Sequence, residues 1–214
     1  MRISSVVVGP FQENSYCLVD DRGVEAVLID PGEDDPRIAA MVDESGATLS
    51  AIWLTHGHLD HIGGIAAIRR RWDVPIHLHP ADAWLYGEGA ERAAQMYGVP
   101  FEAPPPPDVA LAEGDRLSLG SLTFEVWHVP GHAPGHVVFL APGIAIGGDL
   151  LFAGSIGRTD LPLSDPAAMR ASLERVASLP PATVVHAGHG PATTIAQELA
   201  SNPFLTGLAR PVGR

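Results

Sequence analysis

The sequence predicts a layered α/β or α+β domain with its helices on the outside. Short apolar runs typical of strands alternate with segments of helical periodicity along the whole chain. The second half also repeats the first in outline. In each half a group of strands is followed by a helix, a buried strand and a turn that contains histidine, at residues 55–61 and 188–190.

The first half opens with strands. The turn signal Asp20-Asp21-Arg22-Gly23 joins two strands into a hairpin. Asp34-Asp35-Pro36 begins a helix that Gly46 ends, because an acidic cap followed by proline starts a helix and glycine stops one. The predicted strands are residues 3–8, 15–19, 25–29 and 49–54.

The middle of the chain is mainly helical. Apolar residues at helical spacing predict one helix over residues 62–72, and Gly63-Gly64 in its first turn indicates that another segment packs closely there. A short strand at 75–78 precedes a helix over 81–96, interrupted near 87–89. Residues 104–107 form a polyproline connection.

The second half returns to strands. Gly120-Ser121 joins two of them as a hairpin, and Asp165-Pro166 begins a helix. The predicted strands are residues 115–119, 122–129, 136–140, 143–146 and 183–185, and a last helix covers 192–200.

Composition limits the possible functions. The 214 residues allow one large domain or two small ones, and 46% apolar against 18% charged residues is typical of a folded chain. The net charge of −12, without a basic stripe, argues against nucleic acid. No apolar run reaches membrane-spanning length and none is a secretory signal, so we expect a cytoplasmic protein. Cys17 is the only cysteine, which excludes an internal disulfide and a thiolate metal cluster.

The strongest chemical signal is Thr55-His56-Gly57-His58-Leu59-Asp60-His61, between a buried strand and a helix. Imidazole is the commonest metal ligand in proteins, so this turn predicts a metal site. Ligands must also converge from elsewhere, and glycine beside a strand end lets the backbone turn toward a metal. Three further positions meet this test: His132 after Gly131, Asp149 after Gly148, and His189 after Gly188.

The types of these candidate ligands limit the choice of metal. Mixed imidazole and carboxylate ligands suit zinc, manganese or iron, whereas calcium and magnesium prefer oxygen ligands alone. The histidines that remain are expected to pack against the site or elsewhere in the core and not to bind metal: His77, His79, His128, His136 and His186.

The seven predicted ligands resemble the HxHxDH…H…D…H signature of the metallo-β-lactamase superfamily, and the resemblance extends across almost the whole chain. They are His56, His58, Asp60, His61, His132, Asp149 and His189. The resemblance implies an αββα four-layer sandwich in one domain, 1–214. It also implies two divalent metal ions, with zinc first and iron or manganese as alternatives. By this resemblance His56, His58 and His132 bind one metal, Asp60, His61 and His189 bind the second, and Asp149 bridges both. Asp60 and Asp149 would position the attacking hydroxide as metal ligands.

Within the superfamily the chain resembles glyoxalase-II-like hydroxyacylglutathione hydrolases, and their small single-domain bacterial members in particular. The stretches that carry this likeness are Asp30-Pro31-Gly32, residues 130–136, 148–152, 154–160 and 188–194, and the tail 202–205. The implied activity is a thioesterase that cleaves a small-molecule thioester such as S-lactoylglutathione through a metal-bridging hydroxide. Asp30 resembles an aspartate that orients a ligand imidazole, although an Asp-Pro-Gly turn alone would also explain it.

The chain also departs from full-length glyoxalase II. The C-terminal helical domain that contributes to the glutathione site is expected to be absent, because residues 190–214 alone follow the last ligand. The family's glutathione-contacting lysine and tyrosine are matched by Arg158 and Asp160. Arg158 could hold a substrate carboxylate, whereas Asp160 would not replace a tyrosine.

Two alternatives stay open. A persulfide dioxygenase on the same fold would use one iron bound by His56, His132 and Asp149, and its Gly-Arg-Thr-Asp stretch matches residues 157–160. The second alternative is a metal-binding or redox-partner module that has no catalytic activity. The full set of seven ligands argues against this alternative. Asp149 also argues against β-lactamase activity, since true β-lactamases usually lack that aspartate.

Overall fold

The computed structural model describes residues 1–213. Its main body consists of two six-stranded sheets, one from each half of the chain. The strands of the first sheet are β1 (Arg2–Val8), β2 (Glu13–Val19), β3 (Glu25–Ile29), β4 (Thr48–Trp53), β5 (Ile76–Leu78) and β6 (Val109–Ala110), paired in that order. β1 to β3 pair antiparallel, and β3 to β6 pair parallel.

The second sheet has the order β14-β13-β10-β9-β8-β7. Its strands are β7 (Arg116–Leu119), β8 (Leu122–His128), β9 (Val137–Ala141), β10 (Ile144–Gly148), β13 (Val184–Ala187) and β14 (Thr193–Thr194). β10 and β13 pair parallel, and the other neighbours pair antiparallel. A small ribbon of β11 (Leu151–Phe152) and β12 (Ser155–Ile156) follows β10.

Helices cover the outer face of each sheet. Those beside the first sheet are α1 (Pro36–Ser45), α2 (Leu59–Ile62), α3 (Ile65–Arg71) and α4 (Ala90–Tyr97), and those beside the second are α5 (Pro166–Ala177) and α6 (Ile195–Ser201). Asp35 and Asp165 cap α1 and α5 by accepting hydrogen bonds from backbone N–H groups of the first turn. None of the helices among the described residues has the length and apolar character to cross a bilayer.

Three apolar clusters fill the spaces between the layers of the described chain. One lies between the first sheet and its helices, one between the two sheets, and one between the second sheet and its helices. Alternation along the strands explains this arrangement: in β2, Cys17 and Val19 face the helices, whereas Leu18 faces the other sheet. The predicted αββα sandwich is therefore confirmed.

One predicted helix is present but begins later than expected. The segment 62–72 is not continuous, because α2 ends at Ile62 and α3 begins at Ile65. The backbone around Pro31 and Glu33 packs directly on the two glycines between them. A Cβ atom on Gly64 would lie 2.2 Å from the Glu33 carbonyl oxygen, and the Gly64 N–H donates to the Pro31 carbonyl. The expectation of close packing at the glycines was correct, and that packing is what breaks the helix.

The predicted helix over 81–96 is present with its interruption. A 3₁₀ turn at Pro80–Asp82 and a π-helical turn at Leu85–Gly89 precede α4, and Gly87 has non-helical dihedral angles. The last helix begins at Ile195 and not at residue 192, because residues 193 and 194 pair with β13 as a strand.

Asp82 connects the two sheets close to the histidine turn. Its side chain is fully buried and accepts hydrogen bonds from the Gly57 N–H at 3.0 Å and the Gly135 N–H at 2.5 Å. Gly57 follows β4, and Gly135 precedes β9. Burial raises the pKa of Asp82 to about 6. One carboxyl group thus fixes a turn of each sheet to the other.

We expect Asp82→Ala to lower the free energy of unfolding by about 3 kcal/mol, because two buried N–H groups lose their acceptor. Chemical denaturation followed by far-UV circular dichroism measures the change. Asp73→Ala is the matched control, since the Asp73 side chain is 99% exposed, and we expect a change within about 0.5 kcal/mol. Equal stability of the two variants would contradict the role given to Asp82.

Candidate metal centre

The predicted ligands lie at one end of the two sheets, where strands from both halves stop. His56 and His58 follow β4, and Asp60 and His61 lie in α2. The other three come from the second sheet, after β8, β10 and β13: His132, Asp149 and His189. Gly148 turns the backbone there at φ +48°, and a Cβ atom would lie 2.5 Å from Thr55 Oγ1. This turn places Asp149 between the sheets.

The first ligand group contains three imidazoles. One nitrogen from each of His56, His58 and His132 lies within 4.8 Å of the others. His58 Nδ1 is 2.8 Å from His132 Nε2. His58 is the partly buried member, and the other two are buried. The arrangement is suited to hold one cation.

The second group joins a carboxylate to two imidazoles. The ligand atoms of Asp60, His61 and His189 also lie within 4.8 Å of one another, and His189 Nε2 is 3.3 Å from Asp60 Oδ2. Asp60 and His61 lie in α2, which follows β4 of the first sheet, and His189 follows β13 of the second sheet. The group would therefore exist only when the two sheets are packed together.

Asp149 lies between the two groups. Its Oδ2 atom is 3.5 Å from His132 Nε2 in the first group and 3.4 Å from His189 Nε2 in the second. Its Oδ1 atom is 3.4 Å from His61 Nε2. The Asp149 carboxylate therefore lies close enough to both ligand groups to be shared between them.

The donor set fits metal ions. Three of the converging atoms are buried and have no hydrogen-bond partner among the described residues: His56 Nε2, His61 Nε2 and Asp149 Oδ1. Buried polar atoms are rarely left unsatisfied, and an imidazole nitrogen or carboxylate oxygen aimed inward can be satisfied by a cation. Nitrogen and oxygen donors together suit zinc, iron or manganese.

The outer nitrogens of the ligand rings are held in place by other parts of the chain. His61 Nδ1 is 3.0 Å from Asp30 Oδ2, and His132 Nδ1 is 2.8 Å from the Arg158 carbonyl. His189 Nδ1 is 3.3 Å from the Gln12 carbonyl. Such contacts fix the tautomer and the ring orientation of a metal ligand, so Nε2 faces the centre in each case.

Asp30 lies beside the ring of His61, one of the predicted ligands. The carboxylate is buried and also accepts hydrogen bonds from Thr55, from the backbone N–H at 2.8 Å and from the hydroxyl at 2.6 Å. Asp30 has φ +45°, which is unusual for a residue other than glycine. The backbone is thus held in a less favourable conformation where the side chain reaches His61.

The charges of the imidazoles follow from their surroundings. Burial lowers the pKa of His58 to about 3, with a contribution from His132, and lowers the pKa of His56 and His132 as well. These rings are neutral at pH 7, which is the form that binds a metal. Burial opposes the charge on His189 too, but Asp149 and Asp60 raise its pKa to about 10.

The first residues of β2 also position the site, and they were not among the predicted site residues. Asn14 Nδ2 donates to the carbonyl oxygens of Ala187 and Gly190 at 3.0 and 2.8 Å, on both sides of His189. The neighbouring Glu13 is buried, with Oε2 accepting from Ser15 Oγ at 2.9 Å. Consecutive polar residues at the start of a fully buried strand were the signal available in the sequence.

Four of the five remaining histidines contact other groups through their rings. His136 Nε2 accepts a hydrogen bond from the Asp149 N–H at 2.9 Å, and its ring stacks on that of His56. His79 and His128 stack on each other with ring centroids 4.2 Å apart. His186 packs its ring edge against Tyr16. His136 therefore helps to hold the backbone of Asp149 in place.

A cleft of about 650 Å³ opens over the ligands. Ligand residues from both groups form its floor, and α4 with the preceding π-helical turn borders one side. Arg158 lines the cleft and is paired through its guanidinium group with Asp160, at 2.8 and 2.9 Å. A small molecule can therefore reach the ligand groups from solvent.

Similar proteins share this architecture over nearly their whole length. Hydroxyacylglutathione hydrolase GloC of Haemophilus influenzae is 38% identical over 96% of this chain and 98% of its own length. The structure of TTHA1623 in a di-iron-bound form is 48% identical, with a TM-score of 0.87 over 94% of this chain and all of that one. BLEG-1, described as a B3 metallo-beta-lactamase, is 38% identical, with a TM-score of 0.89 over 96% of this chain and all of its own.

The family model described as the metallo-beta-lactamase superfamily matches residues 8–189, from the end of β1 to the last of the converging ligands. The match covers most strands of both sheets and the residues that approach one another between them. The chain belongs to the metallo-beta-lactamase superfamily.

Proposed function

We propose that the protein is a binuclear metallohydrolase that cleaves a thioester. The observation that carries the proposal is the position of Asp149 between two complete ligand groups, within 3.5 Å of His132 and 3.4 Å of His189. The similarity to a hydroxyacylglutathione hydrolase supports the reaction class. We take S-lactoylglutathione, a hydroxyacyl thioester of glutathione, as the reference substrate.

His56, His58 and His132 would hold one metal ion, and Asp60, His61 and His189 the other, with Asp149 shared. When bound, the ions supply a water nucleophile with a pKa near 7 and a Lewis acid for the substrate carbonyl. Mixed ligands and the likeness to a di-iron protein are compatible with either zinc or iron.

The reaction balances without a redox partner. One water molecule gives its oxygen to the acyl carbon, the carbon–sulfur bond breaks, and the products are a carboxylate, a thiol and one proton. A thiolate with a pKa near 8.5 leaves with little need for protonation. A centre built from ligands is therefore sufficient for this substrate class, whereas an amide or an alkyl ester would benefit from a separate general acid.

The chain's own residues keep the centre in one geometry. Asp30 holds the outer nitrogen of His61, the Arg158 carbonyl holds that of His132, and His136 receives the Asp149 N–H. Asn14 supports the turn that carries His189. With the rings fixed in advance, less reorganisation is needed during the reaction.

Two other activities are compatible with the superfamily. A mononuclear iron persulfide dioxygenase would need His56, His132 and Asp149 alone. The presence of a second group, in which His61 and His189 each lie 3.4 Å from an oxygen of the Asp149 carboxylate, favours the binuclear proposal. β-Lactam hydrolysis is suggested by the similarity to BLEG-1. Metal analysis combined with activity assays can distinguish these two activities from thioester hydrolysis.

We expect the purified protein to contain about two metal ions per chain and to hydrolyse S-lactoylglutathione or another acyl thioester. Elemental analysis of protein made without added zinc is paired with a thiol-release assay. Removal of metal with a chelator should abolish hydrolysis, and readdition should restore it. One iron per chain with oxygen uptake on glutathione persulfide would favour the dioxygenase, and faster turnover of a chromogenic cephalosporin would favour a β-lactamase.

Asp149→Ala should reduce metal content and lower kcat/KM for the thioester about a thousandfold, because both ligand groups lose their shared carboxylate. The measurements are metal stoichiometry and steady-state kinetics on the same preparation. Asp73→Ala, on the exposed surface, is expected to keep both values. If Asp149→Ala retained full metal and full rate, the bridging role would be wrong.

Asp30→Asn should weaken metal binding or lower activity by about 10- to 100-fold, since the His61 ring loses its charged partner. Competition with a metal-binding dye measures affinity independently of turnover. Asp20→Asn is the matched control, because Asp20 is also a buried aspartate but accepts hydrogen bonds in the β2–β3 turn. A similar loss of affinity in both variants would show a general effect of destabilisation and not positioning by Asp30.

A further inference from the structure

The cleft above the ligand groups has apolar side chains on both walls. Its helical wall comes from the π-helical turn and α4 and includes Trp84, Ala93 and Met96, with Phe11 beside them. The opposite wall comes from the segments that follow β10 and β12, and its apolar members are Phe152, Leu161 and Pro162. The charged members of the floor are the predicted metal ligands.

Several of these side chains are accessible to solvent although they are large and apolar. Trp84 is 37% exposed, Tyr97 47% and Met96 71%. All three line the same cleft. A concentration of exposed apolar groups beside a site is typical of a surface that binds a ligand.

The apolar surface reaches the ligands themselves. The Phe152 ring packs edge-to-face with the His189 ring, with centroids 5.8 Å apart. On the helical wall, Phe11 packs against Tyr97 at 5.1 Å. A substrate with its carbonyl at the centre would therefore have an apolar wall directly next to its acyl group.

The two arginines that line the cleft are already paired with carboxylates. Arg92 forms an ion pair with Glu88, which also accepts a hydrogen bond from Trp84 Nε1 at 3.2 Å. Arg158 forms a bidentate pair with Asp160, and the Tyr97 side chain also contacts its guanidinium group. Each pair has no net charge, so among the described lining residues an anionic carrier would compete with a carboxylate of the chain itself for either cation.

We propose that the cleft selects thioesters that carry an aromatic or branched aliphatic acyl group on an uncharged thiol. The proposal rests on the thioester hydrolysis proposed above and specifies its substrate. Apolar walls would bind the acyl group by removing it from water. For a ring of phenyl size we expect this burial to raise kcat/KM about 10- to 100-fold. The two carboxylates of glutathione would gain little from the paired arginines.

The test compares acetyl and phenylacetyl thioesters of N-acetylcysteamine, which is uncharged, with S-lactoylglutathione and S-phenylacetylglutathione. We expect phenylacetyl to exceed acetyl by at least about tenfold in kcat/KM on the neutral thiol. We also expect the neutral phenylacetyl thioester to be hydrolysed at least as well as either glutathione thioester. S-lactoylglutathione as the best substrate, with its KM raised selectively by Arg158→Ala, would overturn the proposal.

Variants assign the preference to the helical wall. Trp84→Ala and Met96→Ser should each lower the phenylacetyl-to-acetyl ratio of kcat/KM, by about tenfold when combined. Met96 is largely exposed, so its replacement is compatible with folding even if that of Trp84 is not. Leu199→Ala is the matched control, an exposed apolar residue on α6 that does not line the cleft. An unchanged ratio in Met96→Ser and the double variant would contradict the proposal.

A binding measurement separates this proposal from the proposed reaction. An unreactive thioether, S-phenethyl-N-acetylcysteamine, is titrated calorimetrically into the metal-loaded protein and into Met96→Ser. Binding that the variant weakens, without hydrolysis of any thioester, would support the apolar cleft and reject the thioesterase. Thioester hydrolysis without an acyl preference, and without thioether binding, would reject the apolar cleft alone.

Discussion

The centre depends on the apolar contact between the two sheets. Trp53, the last residue of β4, packs against Phe124 and Phe139 of the second sheet, with ring centroids 5.4 Å apart in each case. The next residues along the chain lead directly into the histidine turn. Since close-packed cores resist small displacements, this contact also sets the distance between the ligands of the two sheets. Metal binding needs donor atoms placed within a few tenths of an ångström, and a rigid layer of aromatic rings can provide that accuracy.

Hydrogen bonds then refine what the apolar packing begins. Asp82 joins turns from opposite sheets, Asn14 joins the start of β2 to the His189 turn, and Asp30 joins β3 to both Thr55 and His61. Each of these side chains is buried. Their polar atoms are expensive to remove from water unless they are paired, so the native arrangement is strongly preferred over slightly shifted ones. The same residues therefore contribute to the stability of the fold and to the geometry of the centre.

The centre and the cleft above it differ in how they would recognise a ligand. The ligand groups are polar, and their members are partly or fully buried. The cleft is partly exposed and largely apolar, and its two arginines are paired with carboxylates of the same chain. Substrate choice would then follow from side chains on α4 and on the segment after β12, while the reaction class follows from the strand ends. On this proposal, changes in the cleft would alter the substrate without moving the predicted metal ligands.

The fold class and the ligand candidates could be read from the sequence because both depend on local patterns. Strand periodicity, glycine at strand ends and the cluster of histidines at 56–61 are visible without a structure. The break at Gly63-Gly64 was not predicted, because the backbone that packs on these glycines comes from residues 31–33. Asn14, Asp82 and the apolar wall at Trp84 and Met96 were missed for the same reason, since their partners are distant along the chain. Sequence alone thus determined which groups could do the chemistry. Tertiary structure decided which of them meet, because distances between side chains from separate strands are set by the packing of the two sheets.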